Sequence, residues 1–337
     1  NAMSLSVSGL ALFSLLNPWA NSEIDTNLGI PLIYFATLLL VIVTAGQLRS
    51  VATDFSHFKE SLNTLAHTPI IGAIPASMLV LSAGWGQLGI LEVIENDLAA
   101  SLGFTFAVLG IVATMCFGTT LFSRIAVSKD VDLSQMSGTS FIPAVALVLV
   151  PSALIRVAIN NNDFSQVLLI FSLFLLGAGL LLFIFLGAVL AHRIISMPPL
   201  PGAQSASWWI WLAPMGAGGL GLIASSRYAA NYFSQPLFAD LGQILATGLW
   251  GFGVWWLIFA LKTLYWTRTE LKFNFSYWGF GFPTAAFGAL TVELGNSWQY
   301  ACMQSFGAIL WVSLVALVVW LTFKTLEGIR MQNRSNK

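Results

Sequence analysis

The stretch SQVLLIFSLFLLGAGLLLFIFLGAVLA, Ser165–Ala191, decides the class of this protein. It contains no charged residue and is longer than the roughly 20 apolar residues that cross a bilayer as a helix. Its Leu, Phe, Gly and Ala form a continuous run, without the alternation of a transmembrane β-strand. Nine similar runs surround it: Met3–Leu16, Leu28–Leu48, Ile70–Ile90, Leu98–Ser123, Thr139–Ile159, Ser205–Ser225, Leu241–Leu261, Asn274–Val292 and Gln299–Phe323. The chain therefore reads as an all-α integral membrane protein with ten transmembrane helices, residues 1–337 forming one transmembrane domain.

Composition agrees. Of 337 residues 57% are hydrophobic and 8% charged, whereas a soluble domain carries roughly 25% charged residues. Basic and acidic residues both number 14, so net charge points to no nucleic acid. Their placement is informative. Alternate connections hold Arg49 and Lys59, Arg124 and Lys129, Arg193, then Lys262, Arg268 and Lys272, and finally Lys324, Arg330, Arg334 and Lys337. The other side has Arg156 and Arg227 with Glu23, Asp25, Glu92, Glu95, Asp97, Asp163, Asp240 and Glu293. The positive-inside rule makes the first set cytoplasmic. Both termini are then cytoplasmic and the protein lies in the plasma membrane, the inner membrane if the source is bacterial. The opening Asn1-Ala2-Met3 reads either as a cleavage remnant before a methionine or as native sequence.

Prolines expected inside helices are Pro75, Pro143, Pro151, Pro214 and Pro283, all in odd-numbered spans. Pro75, Pro143, Pro214 and Pro283 are separated by 68, 71 and 69 residues, the length of one helical hairpin. The chain thus reads as five hairpin repeats, about 3–48, 70–123, 139–191, 205–261 and 274–323. A helix proline frees a carbonyl, which membranes tolerate where protein or a watery cavity meets it. Four kinks at matching positions suggest odd helices gathered around a central pore, with even helices as an outer ring. The alternative is that prolines and small residues only permit close packing.

No ionisable residue is expected near the middle of a span. Proton-coupled carriers usually place such groups there, so a passive pore is favoured. Arg156 and Arg227 read as candidate anion attractors at an outer vestibule, or as side chains reaching for the headgroup layer. Glu293 repels incoming anions unless paired with one of them. Cys116 and Cys302 read as small core residues, Trp208, Trp209, Trp211, Trp266 and Trp298 as interfacial anchors, and His57, His67 and His192 as ordinary loop residues. No metal set, cofactor motif or catalytic cluster is expected, so the protein reads as no enzyme. Asn274-Phe-Ser276 and Asn333-Arg-Ser335 match the glycosylation pattern by chance.

The stretch Phe273-Asn-Phe-Ser-Tyr-Trp-Gly-Phe-Gly-Phe-Pro-Thr-Ala-Ala-Phe287 resembles the tellurite-resistance/dicarboxylate transporter family, which includes bacterial TehA and the slow anion channels of plant guard cells. His67-Thr-Pro-Ile-Ile-Gly-Ala-Ile-Pro75, Phe141-Ile-Pro-Ala144, Leu212-Ala-Pro-Met215 and the stretch from Gly177 to His192 extend the match in order. The resemblance implies a homotrimer with one pore per protomer, kinks at Pro75, Pro143, Pro214 and Pro283, and Phe282 as a gate plugging the pore. It implies small inorganic or organic anions as the permeant species. A channel or uniporter for monovalent anions is the first expectation. A coupled carrier or efflux pump for dicarboxylate, sulfite or tellurite-like oxyanions is the second.

Overall fold

The computed structural model describes residues 2–16, 23–55, 72–127, 133–161, 164–200, 202–271 and 273–335. His57, His67, Lys59, Lys129, Asp163, Lys272 and Lys337 lie outside them, as does the start of the third expected span. Among the described residues the chain is all-helical, with ten helices of 15 residues or more: α1 (Ala2–Leu16), α2 (Glu23–Thr53), α3 (Ala73–Ile90), α4 (Asn96–Val127) and α5 (Ile142–Asn160). They continue with α6 (Ser165–Ser196), α7 (Leu212–Phe233), α8 (Leu237–Thr267), α9 (Gly281–Ser297) and α10 (Ala301–Ser335).

Seven segments are long and apolar enough to cross a membrane: α2, α3, α4, α5 with its preceding turn, α6, α8 and α10. The other three, α1, α7 and α9, are short or rich in Gly and Ser. Burial explains why they can be shorter or less apolar than a lipid-facing span. Twelve of the 15 residues of α1 and 14 of the 17 in α9 are buried, so protein rather than lipid is their surrounding.

The two helix sets differ in length and exposure. Odd helices have 15 to 22 residues, even helices 31 to 35. In their most apolar stretches, α3 and α5 are 83% and 89% buried, whereas even helices are only 22–39% buried. The exposed faces carry large apolar side chains such as Leu181, Ile184 and Phe323. In water such a continuous patch would drive association; against acyl chains it is the expected surface. The protein is a membrane protein.

Packing follows the same division. Odd helices contact one another in sequence, α1 on α3, α3 on α5, α5 on α7 and α7 on α9, and α9 returns to α1. Each even helix lies against its preceding odd helix and the next one in that series: α2 on α1 and α3, and finally α10 on α9 and α1. Close approach requires glycine at Gly216 of α7, where a Cβ would stand 2.4 Å from the backbone carbon of Ala286 and nitrogen of Phe287. Tryptophan N–H groups tie odd helices to their neighbours: Trp85 donates to Thr37 (3.2 Å), Trp250 to Thr291 (3.0 Å), Trp278 to Thr325 (3.1 Å) and Trp311 to Ser14 (3.2 Å).

The prolines stand elsewhere than mid-helix. Pro143 is in the first two positions of α5, and Pro75, Pro214 and Pro283 are each the third residue of their helix. A first-turn N–H has no intrahelical acceptor, so proline costs little there. Three of these helices follow directly from a 3₁₀ turn: Gly138–Phe141 before α5, Ala206–Trp211 before α7 and Phe275–Phe280 before α9. At Pro143, Pro214 and Pro283 the repeat therefore marks a change of helix type where a kink within an α-helix was expected. Pro151 is inside α5 as expected, but Pro31 is inside α2, so interior proline is not confined to odd helices.

Other expectations need correction. Cys116 and Cys302 are exposed, on outward-facing even helices, not in the core. Trp208 and Trp211 are buried; Trp211 stacks on Trp256 with centroids 3.7 Å apart, and Trp256 donates to the Trp208 carbonyl at 2.8 Å. Trp266 and Trp298 do reach the surface. Asn274 caps the turn before α9, where its side-chain oxygen accepts the Ser276 N–H at 2.8 Å.

Candidate functional site

Three voids lie among the odd helices. A wide cavity of about 680 Å³ is bordered by the C-terminal parts of α1, α3, α5, α7 and α9, at Leu16, Gln87, Arg156, Arg227 and Glu293. A narrow cavity of about 360 Å³ is bordered by their N-terminal ends, at Ser6, Ala73, Thr139, Ala213 and Phe282, with Trp278 and Thr325 alongside. Between them is a throat of about 20 Å³, room for about one water molecule. Among the described residues its lining, which includes Gly9, Val80, Leu149, Ala217 and Ala286, comes from all five odd helices and no even one.

Shared residues fix the order of the voids. Leu16, Ser152 and Leu220 border both the wide cavity and the throat. Phe282 borders both the throat and the narrow cavity. Its side chain is 5% exposed. Gly9 of α1 leaves space for the ring: a Cβ there would be 3.1 Å from Phe282 Cδ2. The residue sits in the first turn of α9, and that turn is held by Thr284. Trp209 donates to the Thr284 hydroxyl at 2.9 Å, which itself donates to the Phe280 carbonyl at 2.7 Å. Trp209 also meets the Phe280 ring edge-on at 5.5 Å. Trp209, expected as a surface anchor, thus braces this turn.

Among the described residues, neither the throat lining nor that of the narrow cavity contains an ionisable side chain. Of the described residues that line the three voids, the charged ones are Arg156, Arg227 and Glu293, all at the wide cavity. The two arginines are not equivalent. Arg227 forms an ion pair with Glu293 through Nη1 and donates from Nη2 to Ser297 Oγ at 2.7 Å. Arg156 has no carboxylate within ion-pair distance among the described residues; its Nε donates to Gln87 Oε1 at 3.0 Å and its Nη1 to the Ser152 carbonyl at 2.8 Å. Asn160 adds a strap between α5 and α3, donating to the Arg156 and Gly86 carbonyls at 2.7 and 2.9 Å. The Arg156 guanidinium is thereby held in place beside the cavity.

Arg156, Arg227 and Glu293 thus come together at one cavity, and Phe282 and Pro283 border the other. Pro75, Pro143 and Pro214 line none of the three voids. Sequence reading missed Gln87, Ser152 and Leu220. A signal existed: Ser152, Ile155, Arg156 and Ile159 recur at helical spacing, as do Leu220, Ile223, Ala224 and Arg227. Following each arginine back along its own helix face leads to the throat.

A family model described as SLAC1, voltage-dependent anion channel, matches residues 1–326. An uncharacterized transporter of Methanocaldococcus jannaschii is 30% identical over 293 residues, 83% of this chain and 78% of that protein. A sulfite efflux pump of Arthroderma otae is 24% identical over 283 residues, covering 78% and 74% of the two chains. A malic acid transport protein of Schizosaccharomyces pombe is 25% identical over 167 residues, 46% of this chain and 37% of the relative.

Proposed function

This chain belongs to the voltage-dependent anion channel family, and from that premise we propose that it is an anion channel or uniporter with a central conduit closed by Phe282. The five hairpins then surround one pore, with odd helices as its wall and even helices facing lipid. The observation that carries this reading is Phe282 at the boundary of throat and narrow cavity, in a lining without ionisable groups among the described residues. A phenyl ring in so narrow a lumen blocks ions by filling space and by excluding water. Small monovalent anions fit best, because an uncharged throat favours ions that give up hydration cheaply. The basic ends of the even helices face the cytoplasm, with both termini there; the wide cavity opens outside and collects anions. Three copies form a trimer, each with its own conduit.

The test is chloride flux through purified protein in liposomes. Phe282→Ala should raise flux by at least about tenfold, since removing a steric plug lifts a barrier of more than about 1.4 kcal/mol. Unchanged flux in a folded variant would remove Phe282 from the gate. The second reading, a coupled carrier or efflux pump for sulfite, dicarboxylate or related oxyanions, is favoured by the names of two relatives, the sulfite efflux pump and the malic acid transport protein. It requires saturable uptake that collapses with an uncoupler, whereas the channel reading requires flux indifferent to one.

A further inference from the structure

We propose that Glu293 sets the valence of the anions that the wide cavity accepts, by pairing with Arg227 so that the charged side chains of the mouth sum to a single positive charge. The proposal rests on the conduit reading above and adds a selectivity residue to it.

Among the described residues three charged side chains border the cavity: Arg156 on α5, Arg227 on α7 and Glu293 on α9. Glu293 is bound to Arg227 and lies within electrostatic reach of Arg156. The pair is in contact with solvent, its side chains 47% and 30% exposed. Exposed ion pairs contribute little to stability, so folding alone gives weak reason for a carboxylate at an anion-collecting mouth. Charge arithmetic gives a better one. With Glu293 the three side chains sum to one positive charge; without it they sum to two.

The consequence depends on anion valence. A potential that concentrates a monoanion by some factor concentrates a dianion by the square of that factor. An added positive charge therefore favours dianions over monoanions by the same factor that it favours monoanions over neutral solutes. Focusing by low-dielectric walls makes such factors large at a cleft. A single free guanidinium matches one monoanion. A dianion seated there would leave the site negative, next to the Glu293 carboxylate. The chemistry recognised is thus a small singly charged anion held by Arg156 and its Gln87 and Ser152 supports.

The experiment measures inhibition of chloride flux by sulfate in proteoliposomes, at ~10 mM and ~1 M ionic strength, where the Debye length is about 30 and about 3 Å. Sulfate need only reach the wide cavity, not pass the throat. Glu293→Gln should lower the half-inhibitory sulfate concentration about 3- to 10-fold at low ionic strength, and the shift should vanish at high ionic strength. Arg227→Gln/Glu293→Gln, which restores one positive charge, should return to the wild-type value. An unchanged sulfate response in Glu293→Gln, with chloride flux intact, overturns the valence role and leaves the conduit standing. A protein that carries no anion even as the folded Phe282→Ala variant overturns the conduit itself. If Glu293→Gln fails to fold, Arg227→Gln is compared with the double variant. The double variant must pass chloride faster at low ionic strength, and equal rates sink the proposal.

Discussion

The wide and narrow cavities are built by opposite ends of the same five helices, yet their chemistry differs. The wide one has two arginines and a glutamate in an open mouth of about 680 Å³; the narrow one has hydroxyls and aromatic rings in about 360 Å³. Helix direction allows this division. Short turns at residues 91–95 and 234–236 follow the odd helices at the wide end, where long side chains reach water. At the other end each of α5, α7 and α9 begins with a 3₁₀ turn tightly packed against its neighbours. Steps in series do not contribute equally to a rate. On the conduit proposed above, the mouth would change how many anions are present and the throat would decide whether one passes, so throat substitutions should have the larger effects.

The strongest way to break that ranking is a carboxylate at the throat's rim. Leu220 borders both wide cavity and throat and is half-buried. Leu220→Glu would place a fixed negative charge within about 4 Å of a passing anion, a repulsion of about 4 kcal/mol at an effective dielectric of 20. Chloride flux should fall about a thousandfold, measured by light-scattering or electrode assays in liposomes. Leu220→Gln, of similar size, should retain most of the flux; equal loss in both would make the site steric and not electrostatic.

A mouth substitution should do less. Arg156→Gln removes the free guanidinium, and chloride flux at low ionic strength should drop about 3- to 10-fold, the range expected for loss of modest electrostatic focusing. Near 1 M salt the variant and wild type should converge, because the charge is then screened within about 3 Å. A deficit that persists at high salt would mean that Arg156 acts by bracing α5 on α3 through Gln87, and the two cavities would no longer divide binding from passage.

The fold is largely legible in the sequence, because lipid imposes length and hydropathy on any helix it touches. The even helices announce themselves this way. The odd helices escape that rule once buried: α1 and α9 are short and α7 is rich in Gly, yet each still reads as an apolar run, and the proline period groups the runs into hairpins. The same period misleads about location, since a regular spacing does not distinguish a helix interior from its first turn. Cys116 and the buried Trp211 differ from expectation for a related reason: in a membrane, apolar character fits both the core and the lipid face. The candidate site is half legible. Arg156 and Arg227 stand out in the sequence and Phe282 only through the family resemblance, but the pairing of Arg227 with Glu293 joins residues 66 apart on different helices, and no local pattern encodes it.

The smallest expected effect tests whether the brace under Phe282 belongs to stability or to passage. Trp209 donates to Thr284, two residues after Phe282, and packs on Phe280, two residues before it. Trp209→Phe keeps an aromatic ring against Phe280 but deletes the N–H. Thr284 retains its own acceptor, the Phe280 carbonyl, so its hydroxyl proton stays satisfied and only one hydrogen bond is lost. Such a bond contributes about 1 kcal/mol, which should appear as a thermal midpoint lower by a few degrees, with chloride flux changed less than about twofold. A large rise in flux with an unchanged midpoint would reverse the assignment. The tryptophan would then be holding the ring in the throat, and the narrow end would owe its closure to a neighbour's hydrogen bond as much as to the size of Phe282.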